Sequence, residues 1–467
     1  MELHEYAAYD ATGLRELITT GQITPQDAED AARRALAAAH ADLNALTGPL
    51  YEPAGSHDPD GPFGGVPFLI KDSGPFARGT AFRLGSRAIR GVIADADHEL
   101  MTRFRAAGLV TLGQTTAPEF GLSFSTEPVL HGPTRNPWAP DRGVGGSSGG
   151  AAALVAAGAV PVAHGNDGAG SIRVPAAACG LVGLKPSRGR TPGSDVAFGH
   201  IYEFALTRTV RDTARLLDAV STPNHFDTHQ APPPVRPFAR ELTAAPERLR
   251  VALAVAPWSG VPVDPEVAAA TETAGALLEW LGHTVEPARP EFDAEDVVES
   301  LMLGGIATGL AVLRGGRRPD PSLLEAGSRA FIREAEAATA ADLLTLLDAR
   351  QRVTRSIGHF FAGGYDVLVT PTLGQLPAPH GTLDYDNPAH DARGWLRTML
   401  AYGPFTAPFN VSGTPAISLP LGQSRAGLPI GVQLAAGYGR EDLLLRLAAQ
   451  LEEAAPWRDR QPSLFVG

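Results

Sequence analysis

Lysine is almost absent from this sequence. Only Lys71 and Lys185 are lysine; the other 37 of its 39 basic residues are arginine. Arginine stays protonated, with a pKa above about 12, and so serves sites that need a fixed positive charge. It cannot act as a neutral amine. A lysine stripped of water can, because burial lowers its pKa by roughly 3 to 5 units at the extreme. Lys71 closes the apolar run "VPFLIKDS", residues 66–73. It is either a chance survivor at a strand end or a position that requires an ionisable amine.

Other shortages exclude whole classes of protein. The one cysteine, Cys179, rules out an internal disulfide framework. Its setting, "AAACGLVG", is small and apolar, so a buried core position is expected. No stretch is dense in basic residues, and 51 acidic residues against 39 basic give a net charge of −12, so no nucleic-acid partner is expected. The longest apolar stretch, "AAALVAAGAVPVA" (151–163), carries Gly and Pro and falls short of the about 20 residues of a membrane span. The opening "MELHEYAAYDATGL" has acids and no apolar core of a secretory signal. A cytoplasmic protein without a membrane partner is expected. The 13 histidines are scattered, and neither H-E-x-x-H nor C-x-x-C occurs, so no metal site and no cofactor are expected.

What is present is an alternation of helices and strands. "DATGLRELITTG" and "TPQDAEDAARRALAAAH" read as helices, the second with Thr24 as N-cap and Pro25 in its first turn. "HELMTRFRAAG" (98–108) is helical and leads into the strand "LVTLGQ". Further strands are read at 250–256, 366–370, 416–421 and 430–436, and helices at 266–282 and 441–455. The apolar runs of these strands are unbroken, which marks strands buried on both faces. Helices between buried strands give an α/β sheet covered on both sides. The length, 467 residues, corresponds to roughly three domains at about 150 residues each. Yet the Pro-rich break "STPNHFDTHQAPPPVRPF" (221–238) reads as a surface connection, because the strands after it are as apolar as those before.

Chemistry concentrates in "GVGGSSGGAAALVAAGAVPVAHGNDGAGSIRVP", residues 143–175. Two glycine-rich loops flank a helix of small residues, and each holds serine beside glycine. Ser147 and Ser148 stand where a helix begins, so an N-cap is one role for them. "NDGAGS" is either a tight turn or a set of backbone N–H groups converging on an oxyanion. "GGSSG" (145–149) formally matches a nucleophile elbow, but that motif follows a buried strand and this one follows the loop-like "PTRNPWAPDRGV". Neither glycine loop ends in the G-K-[ST] of a phosphate loop. The nearest histidine, His164, ends a strand and reads as structural rather than as a base. Serines in glycine loops, no histidine partner and one upstream lysine fit a Ser–Lys mechanism.

These segments resemble the amidase signature family. "GVPFLIKD", "GGSSGGAAALVAAG", "GNDGAGSIRVPAAACGLVGLKPSRGRTP", "YDVLVTPT" and "PFNVSGTPAISLPLG" follow its pattern in order, over roughly 60 to 450. "HGPTRNPW" and "LKPSRGR" resemble the branch that includes the 6-aminohexanoate cyclic-dimer hydrolases. The resemblance implies an α/β fold with a large, mixed, twisted central sheet covered by helices on both faces. It implies one domain over 1–467: a helical segment (1–60), a catalytic core (61–220), the Pro-rich connection (221–249) and a remainder completing sheet and pocket (250–467).

The resemblance further implies an amidase that hydrolyses amide bonds, with cyclic amides, aryl amides, carbamates and esters all compatible. Ser171 would be the nucleophile, Ser147 the serine after a cis peptide, and Lys71 the base. Gly168, Ala169, Gly170 and Ser171 would form the oxyanion hole, and Ser123 and Phe124 would line the substrate channel. Ser148 and Asp167 would support the loops. The family usually has glycine at 169; alanine there would be strained if the loop needs positive φ. In "GQTTAPEF" (113–120), Gln114 and Thr116 replace the family's usual Lys and Asn. The pocket is expected from loops that include the Pro-rich connection and residues 290–350. The partner is a small-molecule amide, and a homodimer is left open. Two other readings stay in view: the glutaminase subunit of a tRNA-dependent amidotransferase, and a non-catalytic binding homologue. Lys185 is assigned a structural role.

Overall fold

The structure is a computed structural model that describes residues 1–193, 196–223, 227–244, 247–315 and 318–467. Ten strands form one mixed sheet. In chain order they are β1 (Val66–Lys71), β2 (Leu109–Thr115), β3 (Val162–Asp167), β4 (Val182–Lys185), β5 (Tyr202–Thr207), β6 (Arg250–Leu253), β7 (Thr284–Pro287), β8 (Val367–Pro371), β9 (Ala416–Gln423) and β10 (Pro429–Ala436). Their spatial order is β7-β6-β8-β10-β9-β4-β5-β3-β1-β2. Every residue of β1, β8 and β10 is buried. Alternate residues of a strand face opposite sides, so unbroken burial means that both faces are covered.

Parallel pairing decides where the chemistry lands. β1 runs parallel to β2 and to β3, with Phe68 beside Val162 and Leu69 beside Ala163. The carboxyl ends of β1 and β3 therefore lie side by side, and ligands of open α/β sheets bind at such ends. Lys71 is the last residue of β1, and the 168–171 loop follows β3. β5 runs antiparallel to β3 and sets Glu203 opposite Asn166.

The N-terminal helix Pro25–Leu43 starts as expected: Thr24 Oγ1 accepts the Asp27 N–H at 3.1 Å, and the Asp27 carboxylate accepts the Thr24 N–H at 2.8 Å. Cys179 is buried, and burial pushes its thiol pKa up. The segment before the first serine loop is not all loop. Arg135–Asn136 pairs with Ala139–Gly143 in a small ribbon whose middle residues are exposed, so it is not the buried strand that an elbow requires. In the Pro-rich connection the described residues hold one short helix, Phe238–Glu241, while 224–226 and 245–246 of that segment lie outside the described residues.

The expectation of loops at 290–350 is corrected. The segment is helical: α1 (Ala294–Arg314), α2 (Ala326–Ala337) and the first half of α3 (Ala340–Ala362). Glycines hide this pattern, since glycine normally weakens a helix by about 1 kcal/mol. Here they allow close packing. A Cβ on Gly305 would stand 2.4 Å from the Phe331 ring, and one on Gly309 would stand 2.7 Å from Ala335 Cβ. α1 has the length and apolar content of a membrane-crossing helix, yet half of its most apolar stretch is buried within the fold.

Candidate active site

Lys71 is fully buried. Its Nζ lies 2.6 Å from Ser147 Oγ and 2.6 Å from Asn166 Oδ1. Burial pulls its pKa from 10.5 down to about 7, against the opposing pull of the Glu203 and Asp167 carboxylates. The site therefore holds an amine that exchanges its proton near neutrality, as no arginine does.

Ser147 follows a cis peptide bond from Gly146. Gly146 is wedged against the preceding segment: a Cβ there would stand 2.7 Å from the Ser123 carbonyl oxygen and 2.8 Å from that of Ser125. Ser148 stands at the start of the helix Gly149–Ala156, but its side chain makes no capping bond. Its hydroxyl instead exchanges hydrogen bonds with the backbone of Asn166, at 3.2 and 3.3 Å, and so joins the two serine loops. The N-cap alternative is thereby set aside.

The second loop turns on a buried ion pair. Asp167 takes two hydrogen bonds from the Arg173 guanidinium, at 2.9 and 3.0 Å, and one from the Ile172 N–H at 3.1 Å. Arg173 also donates to Gln433 of β10 and to Asn410 of the helix Ala407–Ser412. Ser171 is almost buried and lines a cavity, and its hydroxyl has no protein partner among the described residues. No acceptor among the described residues takes the N–H groups of Gly168, Ala169, Gly170 and Ser171. Free donors of this kind match what a developing oxyanion requires. The strain considered at Ala169 does not arise: positive φ falls on Gly170, at +152°. The Ala169 carbonyl is held by Thr406 Oγ1 at 2.7 Å.

The cavity has a volume of about 890 Å³. Phe124 lines it, together with Phe76, Leu122, Leu301, Phe331 and Met399. Ser123 is buried beside it and is not among its lining residues; its hydroxyl accepts the Ser125 N–H at 3.0 Å. Among the described residues none of the Pro-rich connection lines the cavity, whereas α1 supplies much of one wall. His164 lies inside β3, bonded through Nε2 to Glu203 at 2.6 Å. Lys185 is buried with Nζ 3.7 Å from the Tyr202 ring centroid and 2.9 Å from the Pro186 oxygen. It stands away from the serines' hydrogen bonds.

Among the polar residues of the cavity that escaped sequence reasoning are Asn166, Glu203 and His200. Asn166 sits within the quoted glycine loop but carries no motif role of its own. Glu203 and His200 belong to no motif, and only the β3–β5 pairing and the turn before β5 bring them in. Ala197 and Phe198 of that turn have φ near +53° and +57°, and their loop is tied by Arg188 and Arg350 to the carbonyls of Gly199 and Phe198. His200 is buried, and neither ring nitrogen has a protein partner among the described residues. Burial, with the Arg188 and Arg350 charges beside it, holds its pKa well below the usual histidine value, so the ring is neutral.

Comparison with known proteins gives the family. The Amidase family model matches residues 27–445. The chain is 42% identical to a 6-aminohexanoate-cyclic-dimer hydrolase of Pseudomonas sp. (strain NK87), over 98% of this chain and 97% of that one. It is 41% identical to the enzyme of the same name from Paenarthrobacter ureafaciens, again over 98% and 97%. The solved structure of a 6-aminohexanoate cyclic dimer hydrolase superposes with a TM-score of 0.91 at 39% identity, covering 98% of this chain and 99% of that one. The chain belongs to the amidase family and is an amidase, a hydrolase of amide bonds.

Proposed function

We propose that the protein cleaves its amide through an acyl-enzyme on Ser171, with Ser147 and Lys71 as a proton relay. The observation that carries this reading is the 2.6 Å contact between a buried amine of pKa about 7 and Ser147 Oγ. Neutral Lys71 takes the Ser147 proton as Ser147 takes that of Ser171. Ser171 Oγ bonds to the carbonyl carbon, and the oxyanion is met by N–H groups of the 168–171 loop. The relay returns a proton to the nitrogen, the C–N bond breaks, and the amine leaves. Water, deprotonated through the same relay, then splits the ester.

The substrate favoured is a small, uncharged molecule with two amide groups, cyclic ones included. Most of the cavity wall is apolar. A neutral imidazole offers one N–H donor and one lone pair, which complement the C=O and N–H of a second amide. A cyclic dimer of an amino acid has two such groups, and the relatives are named for hydrolysing one. The test is Ser171→Ala against a panel of cyclic and linear diamides, with labelling by a serine-directed fluorophosphonate. Wild-type turnover and labelling, both lost in Ser171→Ala, are expected. Labelling that persists in Ser171→Ala would sink the assignment of the nucleophile.

A further inference from the structure

The Lys71 amine makes two hydrogen bonds among the described residues, and only one of them serves the relay. The amine has a second partner besides Ser147: Asn166 Oδ1, at 2.6 Å. Asn166 in turn donates through Nδ2 to Glu203 Oε1 at 3.4 Å and to Ser73 Oγ at 3.3 Å. Glu203 closes the series with Oε2 2.6 Å from His164 Nε2. The ladder explains why these groups meet. Asn166 and Glu203 are directly opposed across β3 and β5, and His164 lies two residues along β3 on the same face.

The chemistry of each partner fixes the amide's orientation. An amine facing Asn166 needs an acceptor, so the oxygen must point at Lys71. Glu203 as a carboxylate only accepts, so the NH₂ must point at it. His164 is fully buried, and burial lowers its pKa, so the ring is neutral and donates its Nε2–H to Glu203. Every link then has one donor and one acceptor.

We infer that Asn166, oriented by Glu203 and His164, is a positioning residue that binds one N–H of Lys71 and so turns the amine's lone pair onto the Ser147 hydroxyl. This rests on the proposed role of Lys71 as base. It also accounts for the residue type. Asparagine accepts from the amine without adding charge at 2.6 Å, whereas aspartate there would stabilise the ammonium form and withhold the base. The negative charge is present, but one link further away, on Glu203.

The charged and titratable groups facing Lys71 are few. Glu203 and Asp167 act on it from β5 and β3, and the Asp167 charge is compensated by Arg173. His164 and His98 act on Glu203 from beyond it. Asp72, next in sequence, spends its carboxylate on the N–H groups of Arg83 and Gly85, at 2.8 Å each.

A charge transposition tests the inference. The double variant Asn166→Asp with Glu203→Gln keeps the size, the total charge and every donor–acceptor link of the series. It moves the carboxylate one link toward Lys71. The acid limb of the kcat/KM pH profile should move up by at least about one pH unit, a loss of about fivefold at pH 7 that grows toward tenfold at lower pH and recovers at higher pH. Glu203→Gln alone should move the limb to lower pH, because it removes a carboxylate that favours the ammonium form. It carries the test if the double variant does not fold. A limb that stays in place in both, or a loss of equal size at every pH, overturns the positioning role. Failure of the underlying reading looks different: the wild type would then lack an acid limb, or Lys71→Arg would retain turnover.

Discussion

Gly170→Ala probes the oxyanion loop, and its effect can be worked out atom by atom. A Cβ on residue 170 would stand 2.4 Å from Thr406 Oγ1, 2.9 Å from Thr406 Cβ and 3.0 Å from Val174 Cγ2. Thr406 cannot swing aside freely. Its hydroxyl donates to the Ala169 carbonyl at 2.7 Å, and its own carbonyl accepts from Arg173 at 2.8 Å. The φ of +152° adds backbone strain for any residue with a Cβ. The loop must therefore move. Overpacking of this kind costs about 1 to 3 kcal/mol of stability. Misplacing one oxyanion donor costs ~10²- to 10³-fold in kcat. The expected result is a folded enzyme, melting a few degrees lower, with kcat reduced about 100-fold or more and KM changed much less. Ala169→Gly is the contrast: residue 169 has no positive φ, keeps its N–H, and should retain most of its turnover. Steady-state kinetics on one amide, with thermal melts of both variants, decide the matter. Wild-type kcat in Gly170→Ala would refute the assignment of this loop as the oxyanion site.

Other expectations follow from the same geometry. Lys71→Arg keeps a positive charge but offers no neutral amine near pH 7, so kcat should fall by ~10²- to 10⁴-fold; retained activity would remove the neutral-base role. In the wild type, Lys71 must be unprotonated to act. With its pKa about 7, kcat/KM should rise with pH through neutrality, then level off, and a profile flat through that region would contradict the mechanism. His200→Leu removes a donor and acceptor from the cavity wall. KM for a diamide should rise about tenfold, the equivalent of one net hydrogen bond, while a simple anilide is little affected. Equal effects on both substrates would mean that His200 shapes the wall rather than reads a second amide.

The sequence by itself determined the α/β class, most strand positions and the serines and lysine proposed for the chemistry. Those features are local: apolar runs mark β1, β8 and β10, and glycine-flanked serines mark the loops. The scarcity of lysine singled out position 71, though it singled out Lys185 equally; both are buried, and their neighbours separate them, Ser147 and Asn166 for Lys71, Tyr202 and Pro186 for Lys185. What tertiary structure decided depends on pairing between distant segments. The parallel register of β1 and β3 brings Lys71 to Asn166, and the antiparallel register of β5 brings Glu203 to both. Helix α1 went unread because its glycines resemble loop punctuation until Phe331 and Ala335 are seen to fill the space beside them. Ser123 and Ala169 could not be judged from the chain, because a hydroxyl's direction and a residue's φ are set by its neighbours in space. The sequence names the candidate reacting groups; the sheet register and the packing around it set the amine's neighbours, its pKa and the shape of the cavity.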